Sequence, residues 1–418
     1  MITTKMLQKY AELAVRAGAN VQKGQLLVIS APVECMEFAR LCVEEAYRAG
    51  ACEVEVMWGD EQVSRMRYEY EDEETLTHVP AWQVERKRAQ VERKCAYLYI
   101  DAETPGLLAH IDGGKLQGAN LARRTALEPF QYYTMANHGQ WSIVAIPTTA
   151  WAKKVFPGES DEAALDKLWE AVLMSVRLTA DNDPAAEWGR HNAVLAANCE
   201  KLNEYAFRSL HFTNGLGTDL TLELVKDHVW AGGGATTLGG VFFNPNMPTE
   251  EVFSMPYKFG VNGTVAATKP LSYQGKLIEN FVLTFKDGKA VDYRAEKGED
   301  ALKNLLTADE GSSYLGEVAL VPHQSPISRS GILFLDTLFD ENASCHLALG
   351  QAYPENVKGG ADMSREELNA LGSNYSKEHC DFMFGSADMR IVGAREDGTT
   401  VTIFENGAFS PAAGFAEE

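Results

Sequence analysis

None of the seven cysteines of this chain pairs at a CxxC spacing, and no HExxH, GxGxxG or GxxxxGK motif occurs anywhere. The first absence argues against a thiolate zinc site or a dithiol redox centre. The second removes the helix that holds the ion of single-zinc proteases. The third and fourth remove the glycine-rich phosphate cradles of dinucleotide- and nucleotide-binding units. No apolar run approaches the ~18–20 residues that span a bilayer. Basic residues are also scarce, with 38 Lys and Arg against 59 Asp and Glu, a formal charge of −21. Phosphate backbones and anionic lipid surfaces attract cations, so neither nucleic acid nor membrane is expected as a partner. The basic cluster Arg86-Lys87-Arg88 and Arg93-Lys94 is interrupted by Glu92 and preceded by Glu85. It reads as a solvated helix face.

What is present is a soluble, two-domain composition. A chain of 418 residues exceeds what one hydrophobic core usually supports. Its first residues read as an amphipathic helix with Met6, Tyr10 and Leu13 on one face, rather than as a signal peptide. Cys35 and Cys42 fall on one apolar helical face, which suits buried, reduced thiols and a cytoplasmic protein.

The first half alternates strand and helix. Gln25–Ile29, Cys52–Trp58, Cys95–Ile100 and Trp141–Ile146 read as strands, the second half-buried through Cys52, Val54, Val56 and Trp58. Such alternation predicts a parallel α/β sheet. The junction after its first strand, Ser30-Ala31-Pro32-Val33-Glu34, lacks glycine, so this half is read as a scaffold. Helices are expected near 161–178 and from Asp183-Pro184 onward, where an N-cap acid precedes a proline at the first helical position. Beyond about residue 207 the texture is β-rich, with Asp287-Gly288 a hairpin signal. The predicted fold is therefore an N-terminal parallel-sheet α/β domain, 1–185, and a β-rich α+β C-terminal catalytic domain, 186–418.

Acids and histidines in the second half carry the chemistry. Glu250 and Glu251 follow Pro248-Thr249, where they either begin a helix or reach a ligand. Glu317 sits in the otherwise apolar stretch Tyr314–Val321, where an unpaired carboxylate is costly. Glu341 lies in a polar loop that enters an apolar strand at His346. His379 and Asp381 share one face of an extended segment, with Cys380 on the other. A set of Glu, His and Asp at strand and loop edges suits paired divalent ions rather than a structural zinc. Two such ions about 3.5–4 Å apart polarise a carbonyl and generate hydroxide near neutral pH.

At these residues the chain resembles the aminopeptidase T-like (thermophilic-type) metallo-aminopeptidases. The resemblance rests on Asn246–Phe253, Tyr314–Val321, Asn342–His346, Ala348–Tyr353 and Asn374–Met383, with Ile146–Trp151 and Gly217–Leu220 in support. It implies metal-ligand positions at Glu250, Glu317, His346, His379 and Asp381, a further acid at the metals in Glu341, and an active-site tyrosine in Tyr353. Glu251 is read as the general base, and Glu317 as the bridging ligand. The resemblance further implies two divalent ions per subunit (Zn, Co, Mn or Mg), peptide substrates with a free N-terminus, and a homodimer with an enclosed cavity. The alternatives are another two-metal hydrolase, an amidase or phosphoesterase, and a non-catalytic metal-binding dimer.

Overall fold

The computed structural model describes residues 2–416, and the chain folds as two units. The first contains Met1–Arg190 together with Gly234–Pro248; the second contains His191–Gly233 and Thr249–Glu418. The expected division, 1–185 and 186–418, is contiguous, whereas these units are not. The excursion 234–248 returns because its short strand Asn246–Met247 pairs in parallel with Ile143 and Val144.

In the first unit the parallel sheet is built from β1 (Leu26–Pro32), β2 (Glu53–Gly59), β3 (Ala96–Asp101) and β4 (Trp141–Ala145). Its order is Asn246–Met247, β4, β3, β1, β2, and every pairing is parallel. Interior strands β1 and β3 are almost wholly buried, as helix-covered parallel strands must be. Strand β2 forms where its alternation predicts, but it lies at the sheet edge. Val54 and Val56 are half-buried as expected, but so are Glu55 and Met57, and Trp58 (47% exposed) and Cys52 are exposed, so burial does not alternate along the strand. Helix Met36–Ala49 ends at Gly50, whose φ of 101° supplies the left-handed stop. Helix Pro184–Tyr205 begins as read, with Asp183 accepting the N–H groups of Ala185 and Ala186. Lys87 is less solvated than its cluster suggested, because its ammonium lies 3.7 Å from the Tyr97 ring centroid.

The second unit is β-rich. An eight-stranded antiparallel sheet runs from Lys289–Arg294 at one edge to Ala408–Phe409 at the other. Asp287 and Gly288 both take positive φ, 49° and 84°, as the hairpin signal requires. A second sheet is made of β5 (Ala231–Gly232), β6 (Val252–Ser254), β7 (Leu315–Leu320), β8 (His346–Gly350) and β9 (His379–Met383), in the order β9-β8-β7-β6-β5. One contiguous core is filled from both sheets. The large sheet supplies residues such as Phe212, Leu222, Val261 and Ile391, and the smaller one Val252, Val318, Leu347 and Phe382. The chain is thus an α/β parallel-sheet unit followed by an antiparallel β-rich unit, the fold class read from sequence.

Candidate metal centre

Strand alternation decides which side chains of β7, β8 and β9 can meet. On β8, Leu347 and Leu349 enter the core, which turns His346 and Ala348 to the opposite face. On β9, Phe382 is core and Cys380 packs against it, which turns His379 and Asp381 the same way as His346. The antiparallel register places Ala348 opposite both Glu317 and Asp381. Between two carboxylates, therefore, the sheet offers only a methyl group. His346 and His379 flank this row, opposite Ala319 and Gly350 respectively.

Glu317 reaches that face through a β-bulge. Leu315 pairs with Leu349 but Glu317 pairs with Ala348, so Gly316 is one extra residue on β7. Leu315 stays in the core while Glu317, two residues on, faces the other way. Only glycine fits there, since a Cβ at Gly316 lies 2.4 Å from the carbonyl oxygens of both Gly350 and Gln351.

Two groups of converging ligand atoms result, each within 4.8 Å: Glu251, Glu317 and His346, then Glu317, His379 and Asp381. Glu317 belongs to both. Its Oε1 lies 3.6 Å from His346 Nε2 and its Oε2 lies 3.6 Å from His379 Nε2. Glu251 Oε2 is 2.9 Å from His346 Nε2, and Asp381 Oδ2 is 3.5 Å from His379 Nε2. Both histidines bond backbone through the other nitrogen. His346 Nδ1 lies 2.9 Å from the Glu341 carbonyl oxygen, and His379 Nδ1 lies 2.7 Å from that of Gln351. A neutral imidazole donating from Nδ1 leaves the Nε2 lone pair facing the carboxylates.

Burial and crowding of like charge set the electrostatics. Burial, reinforced by Asp381 and Glu251 against a hydrogen bond from His346, pushes Glu317 up to about 7. Burial, then Asp381 and Glu251, raise Glu341 well above the usual carboxylate value. Burial lowers the histidine values, yet the carboxylates beside them outweigh it and raise both His346 and His379. Asp381 Oδ1 is buried without a hydrogen-bond partner among the described residues. A buried acceptor left unpaired, between acids that hold protons near neutrality, is what a divalent cation compensates. The donor set, oxygens plus imidazole nitrogens, fits such an ion.

The structure separates the adjacent acids 250 and 251. Glu251 enters a ligand group and Glu250 does not, although both are buried. No helix begins at Pro248; the chain continues as β6. Glu250 instead donates its backbone N–H to Asn342 Oδ1 at 2.7 Å. Glu341 also lies outside both groups, but its carboxyl interacts electrostatically with Glu251, Glu317, Asp381 and His346. Tyr353 stands edge-on to the His379 ring, 4.9 Å between centroids, and burial, then the surrounding acids, raise its hydroxyl pKa. Sequence reasoning passed over the residues that hold the segment before Glu251, namely Asn342 and His191, whose Nε2 lies 2.7 Å from the Thr249 carbonyl oxygen. Their signal was weak: a polar residue inside ENASCH and a histidine on a helix.

Comparison with known proteins is then decisive. Residues 3–409 match the family described as thermophilic metalloprotease (M29). The chain belongs to that family. Its resemblance to aminopeptidase T-like proteins is borne out across nearly its whole length. Aminopeptidase 2 of Geobacillus stearothermophilus is 47% identical over 403 residues, 96% of this chain and 97% of that protein. Aminopeptidase AmpS of Bacillus subtilis is 46% identical over 404 residues, 97% and 98% of the two chains. The structure of wild-type AmpT from Thermus thermophilus superposes with a TM-score of 0.89 at 41% identity, covering 97% of this chain and 99% of that one. Membership in a metalloprotease family implies a divalent metal, and the Glu–His–Asp face described above offers donors for one.

Proposed function

We propose that this chain is an aminopeptidase that releases N-terminal residues from peptides with a centre for two divalent ions. The observation that carries the reading is Glu317, whose two oxygens face two different histidines and so join two ligand groups. Glu251, Glu317 and His346 would hold one ion, and Glu317, His379 and Asp381 the other. Paired ions of this kind, when bound, polarise the scissile carbonyl and acidify the attacking water. Zn²⁺, Co²⁺, Mn²⁺ and Mg²⁺ are the ions to test.

Glu341 is the residue left for proton transfer. It is buried beside both groups without joining either, a place from which its carboxylate would take a proton from water and return it to the leaving amine once bound ions offset the neighbouring acids. This exchanges the roles first read for Glu251 and Glu341. Tyr353 stays neutral at physiological pH, so its hydroxyl donates to the carbonyl oxygen as charge builds there. The relatives named aminopeptidases support the same reaction.

The test is hydrolysis of aminoacyl-p-nitroanilides by metal-reloaded protein, with the N-acetylated substrates alongside. Release from the free-amine series alone is the expected result. Equal cleavage of acetylated substrates, or none of either with metal bound, overturns the reading. The same reading makes the protein cytoplasmic, supported by the buried, reduced thiols of Cys35 and Cys42, and a homodimer, supported by the family resemblance. Among the described residues no helix is long and apolar enough to cross a membrane.

A further inference from the structure

We infer that Asn342 is a positioning residue for one half of the metal centre, the half formed by Glu251 and His346. The inference rests on the two-ion reading above. Asn342 is 0% exposed, and its amide is used at both ends. Oδ1 accepts the Glu250 N–H at 2.7 Å, which anchors the chain one residue before Glu251. Nδ2 donates to the Leu338 carbonyl oxygen at 2.8 Å, which closes the turn that carries Glu341. The carbonyl of Glu341 in turn faces His346 Nδ1 at 2.9 Å and, with that of Ser344 at 3.1 Å, helps set which way His346 Nε2 points. One side chain therefore holds two ligands that lie 95 positions apart in sequence (346 − 251) in mutual register.

The other half is held differently. His379 is oriented by the Gln351 carbonyl oxygen, and Asp381 by its place on β9, whereas the amide of Asn342 bonds Glu250, Leu338 and, at 3.4 Å, Glu341 Oε1. An amide supplies its acceptor and its donor from two separate atoms, so one side chain can hold two backbone groups at once. Alanine removes both functions. Aspartate keeps the acceptor but loses the donor and adds charge beside Glu341.

The experiment is calorimetric titration of the metal-free full chain with Zn²⁺, wild type against Asn342→Ala, with Asn198→Ala as a control. Asn198 is a similarly buried asparagine that bonds the backbone of Ala416 at both ends of its amide. The expected result is that Asn342→Ala weakens one ion by about 10–100-fold and leaves the other within about threefold, as loss of an outer support does. Asn342→Asp is expected to bring the weakened ion back to within about tenfold of wild type. Should the alanine variant fail to fold, Asn342→Leu loses the same three bonds while filling the volume, and the same selective loss is expected. Equal weakening of both ions, weakening of neither, or the same loss in Asn198→Ala overturns the inference. A wild-type isotherm without two ions overturns the two-ion reading instead, and is seen before any variant is compared.

Discussion

The Nε2 atom of His346 lies 2.9 Å from the Glu251 carboxylate, both side chains buried. In the proposed two-ion centre this contact favours Glu251 over its neighbour Glu250 as the ligand. Successive side chains of an extended segment face opposite ways, and Val252 after Glu251 already enters the core. Glu251→Gln is therefore expected to lose one ion, with affinity falling by more than the roughly 100-fold seen for outer supports. Glu250→Gln is expected to keep both. Elemental analysis after dialysis against a weak chelator distinguishes them, and the reverse pattern would restore Glu250 as the ligand.

Gly316→Ala tests the bulge. The added methyl meets two carbonyl oxygens at 2.4 Å, one of them the Gln351 oxygen that orients His379. Overpacking of this kind costs about 1–3 kcal/mol. A lower urea midpoint and weaker metal binding should appear together. An alanine variant as stable and as well metallated as wild type would show that the strand absorbs the methyl without moving Glu317.

The metal-free protein should lose stability as pH rises through neutrality. Glu317 is pushed up to about 7 from an ordinary 4.5, so the folded chain holds that proton more tightly than the unfolded one. The resulting stabilisation is complete below 4.5 and is lost as pH rises through about 7. Raised values at His346 and His379 act in the same direction. Metal-free Glu317→Gln should thus match wild type near pH 4.5 and exceed it at pH 8, read from urea midpoints. Zn²⁺ replaces these protons, so its uptake should release protons and tighten with pH. A wild type that gains on the variant as pH rises contradicts the assignment.

Tyr353→Phe keeps the ring against His379 and removes only the hydroxyl. Loss of an oxyanion donor predicts a fall in kcat of about 10²–10³-fold with metal content unchanged. A change in KM alone would place the hydroxyl in substrate binding rather than in stabilising the reacting carbonyl.

Much of this protein was legible in its sequence because two periodicities leave direct marks. Alternation of period two put His379 and Asp381 on one face of β9 and turned Cys380 toward the core. Caps and turns marked helix ends and the Asp287-Gly288 hairpin for equally local reasons. Residue types alone stated the chemistry, since acids and histidines in apolar strands are costly unless something compensates them.

The tertiary structure decided what local pattern could not. Straight alternation in Leu-Gly-Glu-Val-Ala-Leu would put Leu315 and Glu317 on one face, and only the bulge against β8 parts them. Glu250 and Glu251 are chemically identical neighbours, so the choice between them rests on contacts with His346 and Asn342, more than ninety residues away. Exposure of β2 follows from its place at the sheet edge, and the return of 234–248 follows from a strand pairing with β4. Sequence determined which groups could hold a metal. Long-range pairing, which no local period encodes, determined which of them meet.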